Sequence, residues 1–214
     1  MTRVANKTNN IIDDLAAELK PVKVLRHPFM RAFPWLVFTV LYILLGIFLL
    51  GVRGDFISKL NDSSYIFEMS LVLVMSISAT MCSLWMCVPD MRGQKWLVAT
   101  SLTLISVVLA WIITQAVMNM DHVPFGYWSH CFSDAVFFGL LPAASIVFIS
   151  MKGSTTQPYL MILMNVIAVS GLGYIGLRIT CASDDIGHIC VFHILPYIAL
   201  GAFIGMIGRR FYRW

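Results

Sequence analysis

The sequence predicts an all-α, polytopic membrane protein built as a bundle of six transmembrane helices. Hydrophobic residues make up 59% of the 214 residues and charged residues only 12%, whereas soluble chains are usually about 45–50% apolar and about 25% charged. The mean hydropathy of +0.82 agrees, and a disordered chain would need low hydrophobicity and high charge. Six apolar stretches are long enough to cross about 30 Å of hydrocarbon. They are 35–52, 66–88, 96–117, 131–150, 159–177 and 190–208.

Each stretch is predicted to be a helix, because backbone groups in lipid must form their hydrogen bonds within the protein. The alternating ten-residue pattern of a membrane barrel is absent from the sequence. Proline punctuates the spans: Pro34 precedes the first, Pro89 follows the second and Pro158 opens the fifth. Pro142 and Pro196 fall inside spans, where we expect them to kink the helices.

The distribution of basic residues predicts the orientation of the bundle. Of the 15 Lys and Arg residues, all but Arg53, Lys59 and Arg178 lie on the side that carries both termini. The positive-inside rule places that side in the cytoplasm. The net charge of +4 then reflects membrane topology and contact with lipid, so we expect no direct binding of nucleic acid. The predicted organisation is a cytoplasmic segment 1–33, a transmembrane domain 34–208 and a basic cytoplasmic tail 209–214.

Residues 8–20 of the cytoplasmic segment are predicted to form a short amphipathic helix that Pro21 ends. Its apolar residues recur at helical spacing on one face. They are Ile11, Ile12, Leu15 and Leu19. Two interpretations stay open: a helix that lies on the membrane surface, or one that docks in the groove of a soluble partner. Asp13 and Asp14 argue somewhat against contact with anionic lipid.

Thiol, imidazole and carboxylate side chains concentrate on the outward side. One group opens the fourth span and comprises Cys131 and Asp134; the other leads into the sixth and comprises Cys181, Asp184, His188, Cys190 and His193. Three interpretations compete. Cys131 and Cys181 can form a disulfide in an oxidising compartment, the side chains can bind a soft metal, or the cysteines simply pack as small apolar groups. Because no C-x-x-C or H-E-x-x-H pattern is present, we expect no metal and no cofactor.

The remaining polar residues of the spans carry weaker signals. Cys82 and Cys87 are expected to be packed, reduced thiols. Glu68 and Asp134 lie close enough to the outer surface to reach water, although charged groups in a span are often functional. The glycines of the fifth and sixth spans permit close helix contact within the bundle. No catalytic motif is found, so we expect a protein that is not an enzyme.

Three sets of residues resemble the NrsF-type anti-sigma factors along the whole chain. The segment 13–28 is similar to the acidic, Leu-Ala and Pro-Val opening of that family, and Cys131 with Pro142 matches its fourth span. The most specific match is Cys181-x-x-Asp184-x-x-x-His188-x-x-x-Phe192-His193-x-x-Pro196. The chain departs from the family pattern at Ala182, where proline is usual, at Phe192, where tryptophan is usual, and at the additional Cys190.

The resemblance implies a non-enzymatic regulator in the bacterial inner membrane that holds an extracytoplasmic-function sigma factor and releases it under stress. It implies that the N-terminal segment is the tether and that Cys131 and Cys181 are the sensors. Two other functions remain open. A membrane thiol oxidoreductase would need a paired dithiol and usually a quinone. A transporter of small solutes or metals is supported only by Asp134, Glu68 and the proline-containing spans.

Overall fold

The computed structural model of the protein describes residues 13, 16–17, 25–88, 94–118, 130–153 and 155–208, with side chains up to Ile204. Within this part the chain is helical and has no strand. Five long helices are α1 (Pro28–Leu50), α2 (Ser63–Trp85), α3 (Lys95–Met118), α4 (Cys131–Ser150) and α5 (Pro158–Thr180). The sixth span runs through Ile186–His188, a π-helix at Ile189–Ile194, and α6 (Leu195–Gly208). A one-turn helix, Phe56–Lys59, lies between α1 and α2.

Six helices of 19 to 24 residues are long and apolar enough to span a membrane, which confirms the predicted fold. Their outward surfaces carry large exposed side chains such as Phe33, Leu41, Phe48 and Val117. Water would penalise so much contiguous apolar surface, whereas hydrocarbon does not. The chain is therefore a membrane protein.

The ends of the helices differ from the predicted spans where charged residues interrupt the apolar pattern. Helix α1 begins at Pro28 rather than at 35 and contains Pro34, since an apolar window stops short of Arg31. Helix α5 continues to Thr180 rather than 177, past Arg178. Helix α2 differs for another reason, because it ends at Trp85, three residues before the predicted 88, within an apolar stretch that carries no charge. For α1 and α5, a prediction from composition ends the span at the first charged residue. The helix itself continues past that residue when the charged side chain has a partner within the protein.

Helix α5 is the most buried of the six and packs against α1, α2, α4 and α6. Its glycines permit this central position. A Cβ atom on Gly171 would overlap the side chain of Ser76 on α2, and one on Gly173 would overlap the hydroxyl of Tyr197 on α6. The absence of side chains there lets the backbones approach closely, as is common between membrane helices. Helix α3 is peripheral and packs mainly on α2.

The predicted partner-binding residues Ile11, Ile12, Leu15 and Leu19 lie outside the described residues, as does the basic tail 209–214. Of the predicted N-terminal helix, Asp13, Ala16 and Ala17 are described, and they are helical and exposed.

The two ends of the bundle are named here by their cysteines. The Cys181 end holds residues 51–62 and 181–188 with the start of α4, and the Cys87 end holds residues 25–27, 86–88 and 151–157, leaving out 154.

Candidate functional site: a thiol–imidazole cluster beside an ion-pair network

Two cysteines from different helices meet at the Cys181 end. Cys131 is the first residue of α4, and Cys181 directly follows α5 with an extended backbone (φ −86°, ψ 127°). The thiol of Cys131 donates a hydrogen bond to the sulfur of Cys181 over 3.1 Å. A disulfide would require a bond of about 2.05 Å, so the structure shows two adjacent thiols. Cys131 is buried and Cys181 is half-buried.

Two histidines complete a group that we call the thiol–imidazole cluster, namely Cys131, Cys181, His188 and His193. The carboxylate of Asp185 accepts a hydrogen bond of 2.9 Å from the backbone N–H of His188 and so begins the short helix there. The Nε2 atom of His188 lies 3.4 Å from the sulfur of Cys181. The four potential ligand atoms all lie within 4.8 Å of one another.

The π-helix explains how both histidines reach the same sulfurs. In an α-helix, residues five apart are separated by about 140° around the axis, because each residue turns about 100°. The i→i+5 pattern of a π-helix places residues five apart on nearly the same face. The rings of His188 and His193 accordingly lie 5.3 Å apart, at 80° to each other. Pro196 lies two residues after the π-helix and lacks the N–H that a regular α-helix would donate to Phe192.

The environment of Cys181 favours its thiolate. The hydrogen bond from Cys131 is the largest contribution and lowers the pKa of the Cys181 thiol well below its usual range, while burial opposes this and the imidazole of His193 adds to it. Thiolate is the nucleophilic and metal-binding form of cysteine. The cluster therefore has the chemistry for oxidation, alkylation or metal coordination at Cys181.

An ion-pair network surrounds Asp184 and fixes the segment between Cys181 and His188. Its carboxylate lies 2.9 Å from Nη2 of Arg53, 2.8 Å from Nζ of Lys59 and 2.7 Å from Nη1 of Arg178. Partial burial opposes ionisation of Asp184, but hydrogen bonds from these three cations outweigh it and hold the pKa of its carboxyl far below the usual range. A single carboxylate thus joins the loop after α1 to the end of α5.

The buried guanidinium of Arg53 strengthens this junction. It pairs with Asp55 (Nε to Oδ1, 2.6 Å) and donates a hydrogen bond of 3.2 Å to the carbonyl of Ala182. The hydrogen bond with Asp55 raises the pKa of Arg53, and the same bond lowers the pKa of Asp55. The backbone N–H of Arg53 also donates to the carbonyl of Ile179 over 3.0 Å.

Helix α2 joins the network through Glu68. Its carboxylate accepts hydrogen bonds from Nε of Arg178 (2.9 Å) and from the hydroxyl of Tyr174 (2.6 Å). The hydroxyl of Tyr65 donates to the carbonyl of Arg178 over 3.1 Å, and the guanidinium lies 5.2 Å from the centre of that ring. Two charges inside apolar spans are thereby paired, as intramembrane charges generally are.

The sequence prediction divided the polar outward residues into two groups by their position along the chain, whereas the structure divides them by their contacts. Asp184 belongs to the ion-pair network. The group of ligand atoms that lie within 4.8 Å of one another includes neither Asp134, in the first turn of α4, nor Cys190, on the π-helix. The structural roles of Arg53 and Arg178 were not predicted, although Arg178 and Glu68 inside apolar stretches were a signal of pairing.

The Cys87 end holds the other described pair of cysteines in a different setting. Cys82 and Cys87 lie on α2 and just after it, and both are fully buried. The sulfur of Cys87 lies 3.7 Å from the carbonyl of Ser83, 3.8 Å from that of Ser150 and 3.8 Å from the sulfur of Met161. Burial raises the pKa of Cys87, and nearby Arg31 only partly offsets this. These contacts are those of packed thiols.

Comparison with known proteins identifies the family. The family model described as negative regulator of sigma F, NrsF, matches residues 15–214, which is nearly the whole chain and includes both segments of the thiol–imidazole cluster. No curated protein and no solved structure matches the chain. With six membrane-spanning helices and a match over almost its entire length, the chain belongs to the NrsF family of negative regulators of a sigma factor.

Proposed function

We propose that this chain is an anti-sigma factor of the bacterial inner membrane that holds an extracytoplasmic-function sigma factor and releases it when the bonding of Cys131 and Cys181 changes. Family membership supports the regulation of a sigma factor. The observation that carries the sensing step is the 3.1 Å contact between sulfurs supplied by two different helices. A reaction that joins, separates or bridges these sulfurs would change the contact between the start of α4 and the end of α5.

The charge distribution supports the orientation in which the Cys181 end faces outward. Twelve of the 15 Lys and Arg residues belong to the termini and to the connections at the Cys87 end, and the positive-inside rule assigns that side to the cytoplasm. The N-terminal segment 1–33 would then face a soluble sigma factor, with Ile11, Ile12, Leu15 and Leu19 as its contact face. The cluster would face the compartment where external stress arrives first.

Helix α4 provides a mechanical route between the two sides. It begins at Cys131 and, at about 1.5 Å per residue, its 20 residues extend about 30 Å to Ser150. At its far end the guanidinium of Arg31 donates a hydrogen bond of 2.6 Å to the carbonyl of Ile149. Arg31 lies in the first turns of α1, immediately after the N-terminal segment. A shift of α4 at the cluster would therefore reach the tether through a rigid element.

The size of the response follows from linkage. A change at the cluster alters sigma-factor affinity only if the two states of the bundle bind the sigma factor differently. Typical coupling free energies of about 1–3 kcal/mol correspond to affinity changes of roughly 5- to 150-fold. At an anti-sigma concentration about ten times the dissociation constant, roughly 90% of the sigma factor is bound, and a loss of affinity of about 100-fold leaves roughly 10% bound.

The tether is tested with the full-length protein in membranes. Leu15→Asp should abolish co-purification with the sigma factor that the protein regulates and should derepress its target promoter, because a charge would enter the contact face. Ala17→Asp introduces the same charge on the predicted opposite face and should leave both unchanged. Equal capture by the two variants would refute the assignment of this face.

The sensor is tested by Cys131→Ser combined with Cys181→Ser. Sigma-dependent transcription should stay low under stresses that induce it in the unmodified strain, because the sulfurs can no longer change their bonding. Cys190→Ser is the matched control, since its thiol lies on the π-helix outside the cluster. Unchanged induction in the double variant would exclude the thiol sensor.

A thiol oxidoreductase is the second candidate, and the same contact favours it. The missing C-x-x-C motif argues against an exchange-competent pair in the sequence, yet the fold brings two cysteines 50 residues apart into contact. Such an enzyme would take two electrons and two protons from a substrate dithiol and pass them to a quinone. Reduction of a quinone by the purified protein with a dithiol donor would establish the oxidoreductase activity. A rate of quinone reduction no higher than that of the double-serine variant would exclude this activity.

A further inference from the structure

We infer that the thiol–imidazole cluster binds one divalent cation of the Zn²⁺ class through the sulfurs of Cys131 and Cys181 and one ring nitrogen each of His188 and His193. This deepens the proposed function by naming a ligand for its sensor, and it rests on the proposed function for its biological role. The binding itself depends only on the geometry of the four side chains.

The spacing of the ligand atoms suits a tetrahedral site. With Zn–S bonds of about 2.3 Å and Zn–N bonds of about 2.0–2.1 Å, neighbouring ligand atoms lie roughly 3.3–3.8 Å apart. The two sulfurs are 3.1 Å apart, and the sulfur of Cys181 is 3.4 Å from Nε2 of His188. No two of the four ligand atoms are farther apart than 4.8 Å. Side-chain rotations that move the ligand atoms by about an ångström would close the site around one ion.

His193 supplies an independent indication of a ligand. Its side chain is fully buried, and neither ring nitrogen forms a hydrogen bond of good geometry among the described residues, although the imidazole lies close enough to Cys181 to lower the pKa of that thiol. An unsatisfied buried polar group costs about 1–3 kcal/mol, so native structures rarely retain one without a reason. A metal ion would occupy one nitrogen, while the T-shaped contacts of the ring with Tyr174 and His188 hold it in place.

Charge balance selects the kind of ion. On binding, the Cys131 thiol loses its proton to solvent, as does any Cys181 that is still protonated, and two thiolates with two neutral imidazoles make the loaded site neutral. Neutrality matters because an uncompensated dication next to hydrocarbon would be strongly disfavoured. The carboxylate of Asp184 is already paired with three cations, and the group of ligand atoms within 4.8 Å of one another does not include Asp134. The available donors are therefore sulfur and nitrogen, which favour Zn²⁺ over Mg²⁺ or Ca²⁺.

The sequence predicted no metal because the ligands do not form a linear motif. One cysteine lies 50 residues before the other. The two histidines are five residues apart, a spacing that in an α-helix would turn them to different faces. Only the π-helix at Ile189–Ile194 brings both imidazoles to the sulfurs.

The first test uses the full-length protein in detergent, reduced and stripped of metal, with Zn²⁺ alone as the probe. Calorimetry should give one Zn²⁺ per chain. Cys181→Ser and His188→Gln should each weaken binding by at least about 100-fold, since each removes one of four ligands. Cys190→Ser should bind as the unmodified chain does. Absence of stoichiometric binding, or equal binding by Cys181→Ser, would overturn the inference.

The second test needs no variant and so does not depend on the folding of one. Zn²⁺ should protect Cys131 and Cys181 of the unmodified chain from alkylation, while Cys190 is alkylated at the same rate with and without the metal. Co²⁺ in place of Zn²⁺ should give the visible absorption of tetrahedral thiolate coordination. Equal alkylation of all three cysteines with and without Zn²⁺ would count against the site.

The two proposals fail separately. A chain that binds Zn²⁺ at the cluster but captures no sigma factor would refute the proposed function and leave the metal site standing. A chain that captures and releases a sigma factor but binds no Zn²⁺ would refute the metal site alone.

Discussion

The two ends of the bundle each carry a pair of cysteines, and their surroundings give them opposite chemistry. At the Cys87 end, Cys82 and Cys87 come from one stretch of chain and are fully buried, and the sulfur of Cys87 lies among serine carbonyls and a methionine. At the Cys181 end, Cys131 and Cys181 come from two helices, touch each other and face two imidazoles. The residue type is the same, and only the three-dimensional setting separates a packing thiol from a reactive one.

A second difference is how each end is held. Salt bridges fix the Cys181 end, with Asp184 bound to Arg53, Lys59 and Arg178. Hydrogen bonds hold the Cys87 end: the hydroxyl of Ser83 donates to Asn165, whose amide donates to Ser150, and the guanidinium of Arg31 donates to the carbonyl of Ile149. Paired charges are costly to break, whereas neutral bonds between membrane helices contribute little each. Changes in charge at the Cys181 end are therefore expected to lower the free energy of unfolding strongly. Loss of a hydrogen bond at the Cys87 end is expected to lower it only weakly.

The largest effect is expected from Arg178→Met. The Arg178 side chain is only 6% exposed, and its guanidinium pairs with the carboxylates of Glu68 and Asp184. Removing one partner of such a buried pair lowers the free energy of unfolding by about 3 kcal/mol. Reversible unfolding of the protein in mixed micelles measures the loss. Lys59→Met removes a more exposed partner of the same carboxylate and should cost less than about 1 kcal/mol. Equal losses would show that burial of the network is unimportant.

The next effect is a difference in thiol reactivity. In metal-free protein near neutral pH, Cys181 should be alkylated on the order of 100-fold faster than Cys87, because thiolate character and access both favour it. Hydrogen bonding lowers the pKa of Cys181, and burial raises that of Cys87. Peptide mapping by mass spectrometry gives both rates in one sample. Similar alkylation rates for Cys181 and Cys87, measured while the protein is still folded, would contradict the contrast between the two ends.

Acid should weaken the Cys181 end in particular. The pKa of Asp184 is lowered in the folded protein, so the unfolded chain, with a value near about 3.9, takes up the proton first. The stability that Asp184 contributes is then complete above about pH 5 and is lost as the pH falls through about 4 toward the folded value. The difference in unfolding free energy between the unmodified chain and Asp184→Asn should shrink over that range. A difference that stays constant from neutral pH to pH 3 would contradict this.

The smallest effect is expected at the Cys87 end. Ser83→Ala removes a neutral hydrogen bond to Asn165, and such bonds between membrane helices contribute about 0.6 kcal/mol on average. Ser106→Ala is a matched control, because that exposed hydroxyl bonds only within its own helix, to the carbonyl of Leu102 over 2.9 Å. Unfolding free energies measured side by side should separate the two variants by well under 2 kcal/mol. A larger loss for Ser83→Ala would remove the contrast in how the ends are held.

The sequence predicted the six spans because helix formation in hydrocarbon depends on length and apolar content, which can be counted along the chain. It was less accurate where charge enters a helix, as at Arg31 and Arg178, since the count does not show whether the charge is paired. The candidate residues Cys131, Cys181, His188 and His193 were all visible in the sequence. Their separation from Asp134, Asp184 and Cys190 depends on tertiary contacts, and the predicted docking face at 11–19 stays a prediction.

The π-helix at Ile189–Ile194 makes the cluster depend on the pitch of the helix as well as on residue identity. Residues four apart on an α-helix lie about 40° apart around the axis, whereas residues five apart lie about 140° apart. Deleting one residue between His188 and His193 would therefore restore an ordinary α-helical pitch and still keep both imidazoles on one face. Family members that hold the five-residue spacing in a regular α-helix should lack the four-ligand arrangement, whereas members with histidines four residues apart should keep it without a π-helix.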